Sequence, residues 1–65
     1  MTTEDVRRAV DGVRQLADDP ELAHSAEDCV YVEVLQAIAS GAANPAELAT
    51  EALKLQELNF PRWCA

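Results

Sequence analysis

The chain has 65 residues, with 12 Asp plus Glu against 5 Lys plus Arg, a net charge of −7 and a pI near 4.3. That length holds one domain, residues 1–65, which buries only about 60% of its unfolded surface. A balance this acidic repels phosphate backbones, so nucleic acid is not an expected partner. No run of about 18 apolar residues offers a membrane span, and no basic stretch followed by an apolar run opens the sequence. A cytoplasmic protein is therefore expected, with Cys29 and Cys64 as free thiols rather than a bridge closing a loop of about 35 residues.

Charge is uneven along the chain: residues 1–19 carry −2, residues 20–41 carry −4 with no base, and residues 42–65 carry −1. The first helix is predicted over 3–17. Thr2 followed three residues later by Asp5 has the spacing of a capping box, and Glu4 and Asp5 suit the positive end of the helix dipole. Val6, Ala9, Val10, Val13, Leu16 and Ala17 recur at helical spacing and form one apolar stripe. Gly12 sits inside at a cost of about 1 kcal/mol relative to Ala, unless a close helix contact needs it. Asp18-Asp19-Pro20 ends the element, because the residue before a proline avoids the α region.

Residues 20–24 read as a short helical turn, with a restart at Ser25 as N-cap and Asp28 three residues on, giving a second helix over 26–40. The alternative, a helix capped by Asp19 and opened by Pro20, places Leu22 on the polar strip. Within this helix Glu33, Gln36 and Ser40 share one narrow face. Val30, Tyr31, Val34, Leu35, Ala37 and Ile38 spread over an arc of roughly 160°, wider than a surface helix requires, and Val32 and Ala39 extend it. The segment is thus expected to be covered from more than one side, in part by a second copy of the chain. Gly41 supplies the stop.

Asn44-Pro45-Ala46-Glu47 combines a capping Asn, Pro at the first helical position and Glu three residues after the cap, opening a third helix over 45–58. Leu48, Ala49, Ala52, Leu53 and Leu55 make its inner face, with Glu47, Thr50, Glu51 and Lys54 outside. The tail 59–65 carries Phe60 and Trp63, two of the three aromatic residues. It either folds back as a lid over the bundle or anchors a partner. The expected fold is all-α: a small three-helix bundle with a C-terminal aromatic tail, the second and third helices forming an antiparallel hairpin and the first packing over the second.

His24, Glu27, Asp28 and Cys29 fall within about one turn, but zinc needs three or four N or S ligands at set spacing, and the chain holds one His. No metal and no cofactor is expected. With a single His as the only ordinary general base, no nucleophile–base arrangement can be assembled, so catalysis is not expected either.

Val34-Leu35-Gln36-Ala37-Ile38-Ala39-Ser40-Gly41 followed by Asn44-Pro45-Ala46-Glu47-Leu48-Ala49 resembles the opening of a winged helix-turn-helix DNA-binding domain. The resemblance covers under a third of the chain, and it implies a transcriptional regulator whose DNA contacts would include Lys54 or Arg62. Where that family places a tight turn and a basic recognition helix, this chain continues with Lys54-Leu55-Gln56-Glu57-Leu58. A capped helical hairpin gives the same pattern. His24-Ser25-Ala26-Glu27-Asp28 is distantly similar to the carrier site of acyl carrier proteins, with His and Ala flanking the Ser; an N-capping Ser explains it in full.

The expected function is a small acidic protein–protein interaction module. An apolar patch ringed by carboxylates would capture a partner with a basic surface, with Phe60, Arg62, Trp63, Tyr31 and Glu33 as contact residues. The module is expected to be a small regulator of an actinobacterium or its phage; frequent Ala, four Arg to one Lys and a single Ile fit a GC-rich coding genome of that kind, which concerns codons rather than function. The rivals are a DNA-binding regulator and a purely structural oligomerisation module.

Overall fold

Thr2 starts the first helix by a reciprocal cap: its hydroxyl accepts the Asp5 amide at 3.1 Å while the Asp5 carboxylate accepts the Thr2 amide at 2.8 Å. In the computed structural model, which describes residues 1–62, this helix (α1) spans Thr3–Arg14. It ends three residues before the expected Ala17. Leu16, Ala17 and Asp19 donate instead to the carbonyls of Val13, Arg14 and Leu16, three residues back. The tighter turns bring the chain out of the α region ahead of Pro20, and Leu16 and Ala17 still pack against the core.

The second helix (α2) runs unbroken over Pro20–Ala39, correcting the expected restart at Ser25. Asp19 caps it through a carboxylate oxygen that accepts the Leu22 amide at 3.3 Å, and Pro20 needs no amide partner at the first position. Continuity leaves Leu22 on the polar side, 54% exposed, but it buries Ala23 and saves the backbone hydrogen bonds that a restart would break. At the other end Gly41 adopts φ +92°. Its amide donates to Ile38 and the Ala42 amide to Ala37, the paired bonds of a Schellman stop.

The third helix (α3) covers Pro45–Leu53 and passes into a 3₁₀ turn over Lys54–Glu57, rather than continuing as α-helix to 58. Asn44 stands at its N-cap, yet its side chain makes no capping bond. The amide group reaches across to α1 and donates to the Thr3 hydroxyl at 3.4 Å. α1 packs against both α2 and α3, and α2 against α3, so the first helix covers the hairpin as a whole rather than its second helix alone.

The core is Val6, Val10 and Val13 of α1, Ala23, Val30 and Val34 of α2, Leu48 and Ala52 of α3, then Leu55 and Phe60. Phe60, beyond the 3₁₀ turn, is thus part of the core. α2 buries only one stripe, Ala23, Glu27, Val30 and Val34, at helical spacing. Val32 and Leu35 stand 52% and 64% exposed, so the described residues do not enclose the broad apolar arc. None of the helices among the described residues is long and apolar enough to cross a membrane.

Candidate functional site

Two carboxylates lie in the packed interior, and each is met by arginine. Glu27 sits on the buried stripe of α2 and is 5% exposed. The Arg62 guanidinium donates from Nη2 to one of its oxygens at 2.8 Å and from Nε to both, at 3.1 and 3.2 Å. The same guanidinium donates to the carbonyls of Leu55 (2.6 Å), Leu58 (3.1 Å) and Phe60 (3.3 Å), and it lies 4.0 Å from the centre of the Phe60 ring. Hydrogen bonding by Glu27 holds the Arg62 pKa above its ordinary value, against the opposing effect of burial. One side chain therefore satisfies a buried anion and the loose carbonyls where the last helical turn ends.

Glu51, expected outside, is also 5% exposed, because Leu48, Glu51 and Ala52 share the face that α3 turns inward, with Leu55 of the 3₁₀ turn buried beyond them. Arg7 of α1 donates to it from Nε at 2.9 Å, and Lys54 pairs with its other oxygen. Arg7 also pairs with Glu4 at 3.3 Å. Hydrogen bonding from Lys54, followed by the charges of Lys54 and Arg7, holds the Glu51 pKa below the usual carboxylate range. The shallow depression of ≈ 330 Å³ between α1 and α3 is built around this seam, so its two cations are already neutralised.

Sequence reasoning missed Glu27 and Glu51 as interior groups. The available signal was positional: each acid falls three residues from an apolar core residue and seven from a residue on the same stripe or edge of it. An acid in such a register needs a base from elsewhere in the chain.

His24, Glu27 and Asp28 bring ligand atoms within 4.8 Å of one another. The His24 Nε2 lies 3.8 Å from the Asp28 carboxylate, but both Glu27 oxygens accept from Arg62. A cation there would have to displace a guanidinium, and the three residues do not form a zinc site.

Of the five residues expected to touch a partner, Phe60 and Arg62 are engaged within the fold. Phe60 is packed into the core, and the polar atoms of Arg62 are directed at Glu27 and at backbone carbonyls. Tyr31 is half-buried at the rim of α2, its hydroxyl enclosed and without a hydrogen-bond partner among the described residues. Burial, then the Glu27 charge, pushes its pKa upward. Glu33 is exposed, as is Cys29. Trp63 and Cys64, and with them the question of a bridge to Cys29, lie outside the described residues.

The remaining exposed feature is apolar. Leu35 on α2 and Leu53 on α3, 64% and 55% exposed, border a groove of ≈ 220 Å³ that also includes Tyr31, Ile38, Ala49 and Ala52. Beside it Val32 shares a second shallow hollow with Asp28, Cys29 and Glu33. Compared with known protein families, with curated proteins and with solved structures, the chain matches none of them.

Proposed function

We propose that this is a binding protein rather than a catalyst: a small acidic cytoplasmic module that docks on a partner protein with a basic surface. The observation that carries the reading is the outer face of α2. Val32 and Leu35 are left largely in water on a helix that also exposes Glu21, Asp28 and Glu33 and carries no Lys or Arg, its fourth acid, Glu27, being buried against Arg62. Large apolar side chains held in solvent beside exposed carboxylates are the composition of a docking face, where burial supplies affinity and charge steers encounter. Four of the five bases, Arg7, Arg14, Lys54 and Arg62, are paired with carboxylates of the same chain. That internal pairing supports a protein partner over the phosphate backbone of DNA.

The contact set moves accordingly. Tyr31 and Glu33 stay in it and are joined by Val32 and Leu35, while Phe60 and Arg62 support the fold behind them. Immobilised chain exposed to a lysate is expected to retain a discrete species that elutes as salt is raised and that is lost with V32E, a substitution at an exposed site. Retention unchanged by V32E, with both proteins equally folded by circular dichroism, would overturn the reading.

A further inference from the structure

The groove between α2 and α3 has a shape as well as a composition. Leu35 of α2 and Leu53 of α3 both line it and are exposed, and the other lining residues of α3 are the small Ala49 and Ala52. Among the described residues bordering it only Tyr31 carries a polar side-chain group, and that hydroxyl is itself enclosed. Tyr31, Leu35 and Ile38 cover seven residue steps of α2, about 10 Å at 1.5 Å per step, which is two helical turns. A second helix laid along it would present side chains at i, i+4 and i+7 with the same pitch.

Charge identifies the other half of that helix. Glu21, Asp28 and Leu35 follow one another at seven-residue spacing, so the two carboxylates stack along the edge of α2 that continues from Leu35. All three residues are exposed. Of the basic groups near them, the His24 imidazole lies 3.8 Å from the Asp28 carboxylate, and Arg14, the nearest Lys or Arg in sequence, pairs with Asp11 on α1.

We infer that the α2–α3 groove receives an amphipathic helical segment of a partner protein, its apolar stripe seated between Leu35 and Leu53 and its Lys or Arg residues over Asp28 and Glu21. This rests on the interaction reading above and specifies the partner's docking element. The burial of two exposed leucines sets the affinity, and the acidic edge fixes which way the incoming helix lies.

The test is an NMR titration of the ¹⁵N-labelled full chain with a synthetic peptide of about 14 residues, roughly 20 Å as a helix, built of Leu at i, i+4 and i+7 on a Lys background. A peptide of the same composition with scrambled Leu positions serves as control. Saturable shifts are expected at the amides of Tyr31–Ile38 and Ala49–Leu53, with binding weakened roughly tenfold or more by scrambling or by L35S/L53S. Equal effects of both peptides, shifts concentrated on α1, or no shifts at all would overturn the proposal. Groove shifts that depend on protein concentration without peptide would assign the groove to a second copy and overturn it as well. If V32E, at a residue outside the groove, abolishes partner capture while the peptide leaves the groove unmoved, the groove assignment fails and the interaction reading stands.

Discussion

The Arg62 guanidinium grips Glu27 through Nε and Nη2 across 35 residues of sequence, at 2.8 Å for the shorter contact. This pair ties the segment after the 3₁₀ turn to α2, and with it the Phe60 ring, which is buried in the core. Removing one member of a buried ion pair leaves the other without compensation. The Arg62 side chain retains partial access to water, which reduces the penalty. R62A and E27A are each expected to destabilise the domain by about 1–3 kcal/mol in urea denaturation. A double-mutant cycle should return a coupling of at least about 0.5 kcal/mol, and strict additivity would show that the contact contributes nothing.

Glu51 gives the fold an acid limit. Its pKa is lower in the folded state than the ordinary 4.5 that it has in the unfolded chain. The stability due to its ionisation is therefore present above about pH 4.5 and is lost as pH falls through the lower, folded-state value. Asp5, held low by the hydrogen bonds with Thr2, acts in the same direction. Urea midpoints measured from pH 7 down to pH 3 should fall for the native chain and fall less for E51Q, and parallel curves would show that Glu51 is not a source of the acid sensitivity.

Tyr31 sets the alkaline counterpart. Its folded-state pKa is raised by burial, so the phenol binds its proton more tightly folded than unfolded. Stability from this group is complete below the ordinary pKa of 10.0 and is lost as pH rises through the folded-state value. As the chain has a single Tyr, phenolate absorbance reports it alone. The titration should lie above the ordinary value in buffer and return to it in denaturant; coincident curves would refute the burial effect.

The two glycines should respond oppositely to alanine. Gly12 is helical and a Cβ there meets nothing within 4 Å, so no close contact requires it. G12A should raise stability by roughly 0.5–1 kcal/mol. Gly41 has equal space but a φ of +92°, which disfavours a side chain for conformational reasons, and G41A should lower stability by about 1 kcal/mol. Thermal melts of both variants decide the point, and equal signs would contradict it.

Fold and docking face separate under substitution. Leu48 is fully buried, and L48A should cost about 2–5 kcal/mol, enough to unfold much of a domain this small. L35S and L53S, at exposed sites, should each change stability by no more than about 0.5 kcal/mol. A large loss of folding in either serine variant would mean that these leucines serve the core rather than a partner.

Local chemistry made much of the architecture legible in the residues alone. The Thr2–Asp5 cap, the stop at Gly41, the start at Pro45 and the valine stripe of α1 are each set by neighbours within a turn or two, so spacing and residue type suffice. The acidity of α2, with no base along it, is equally a property of the residues themselves. Tertiary packing decided the rest. Whether Pro20 opened α2 or Ser25 restarted it depended on the burial of Ala23 by the other helices, which no local preference encodes. Glu51 read as an outward-facing acid, and neither it nor Glu27 disclosed in sequence the partners, Arg7 and Arg62, that neutralise them from 44 and 35 residues away. Leu35 and Leu53 looked like core for the opposite reason: hydrophobicity gives the tendency to be covered, but only the placement of α1 on one side of the hairpin determined that these two would face water.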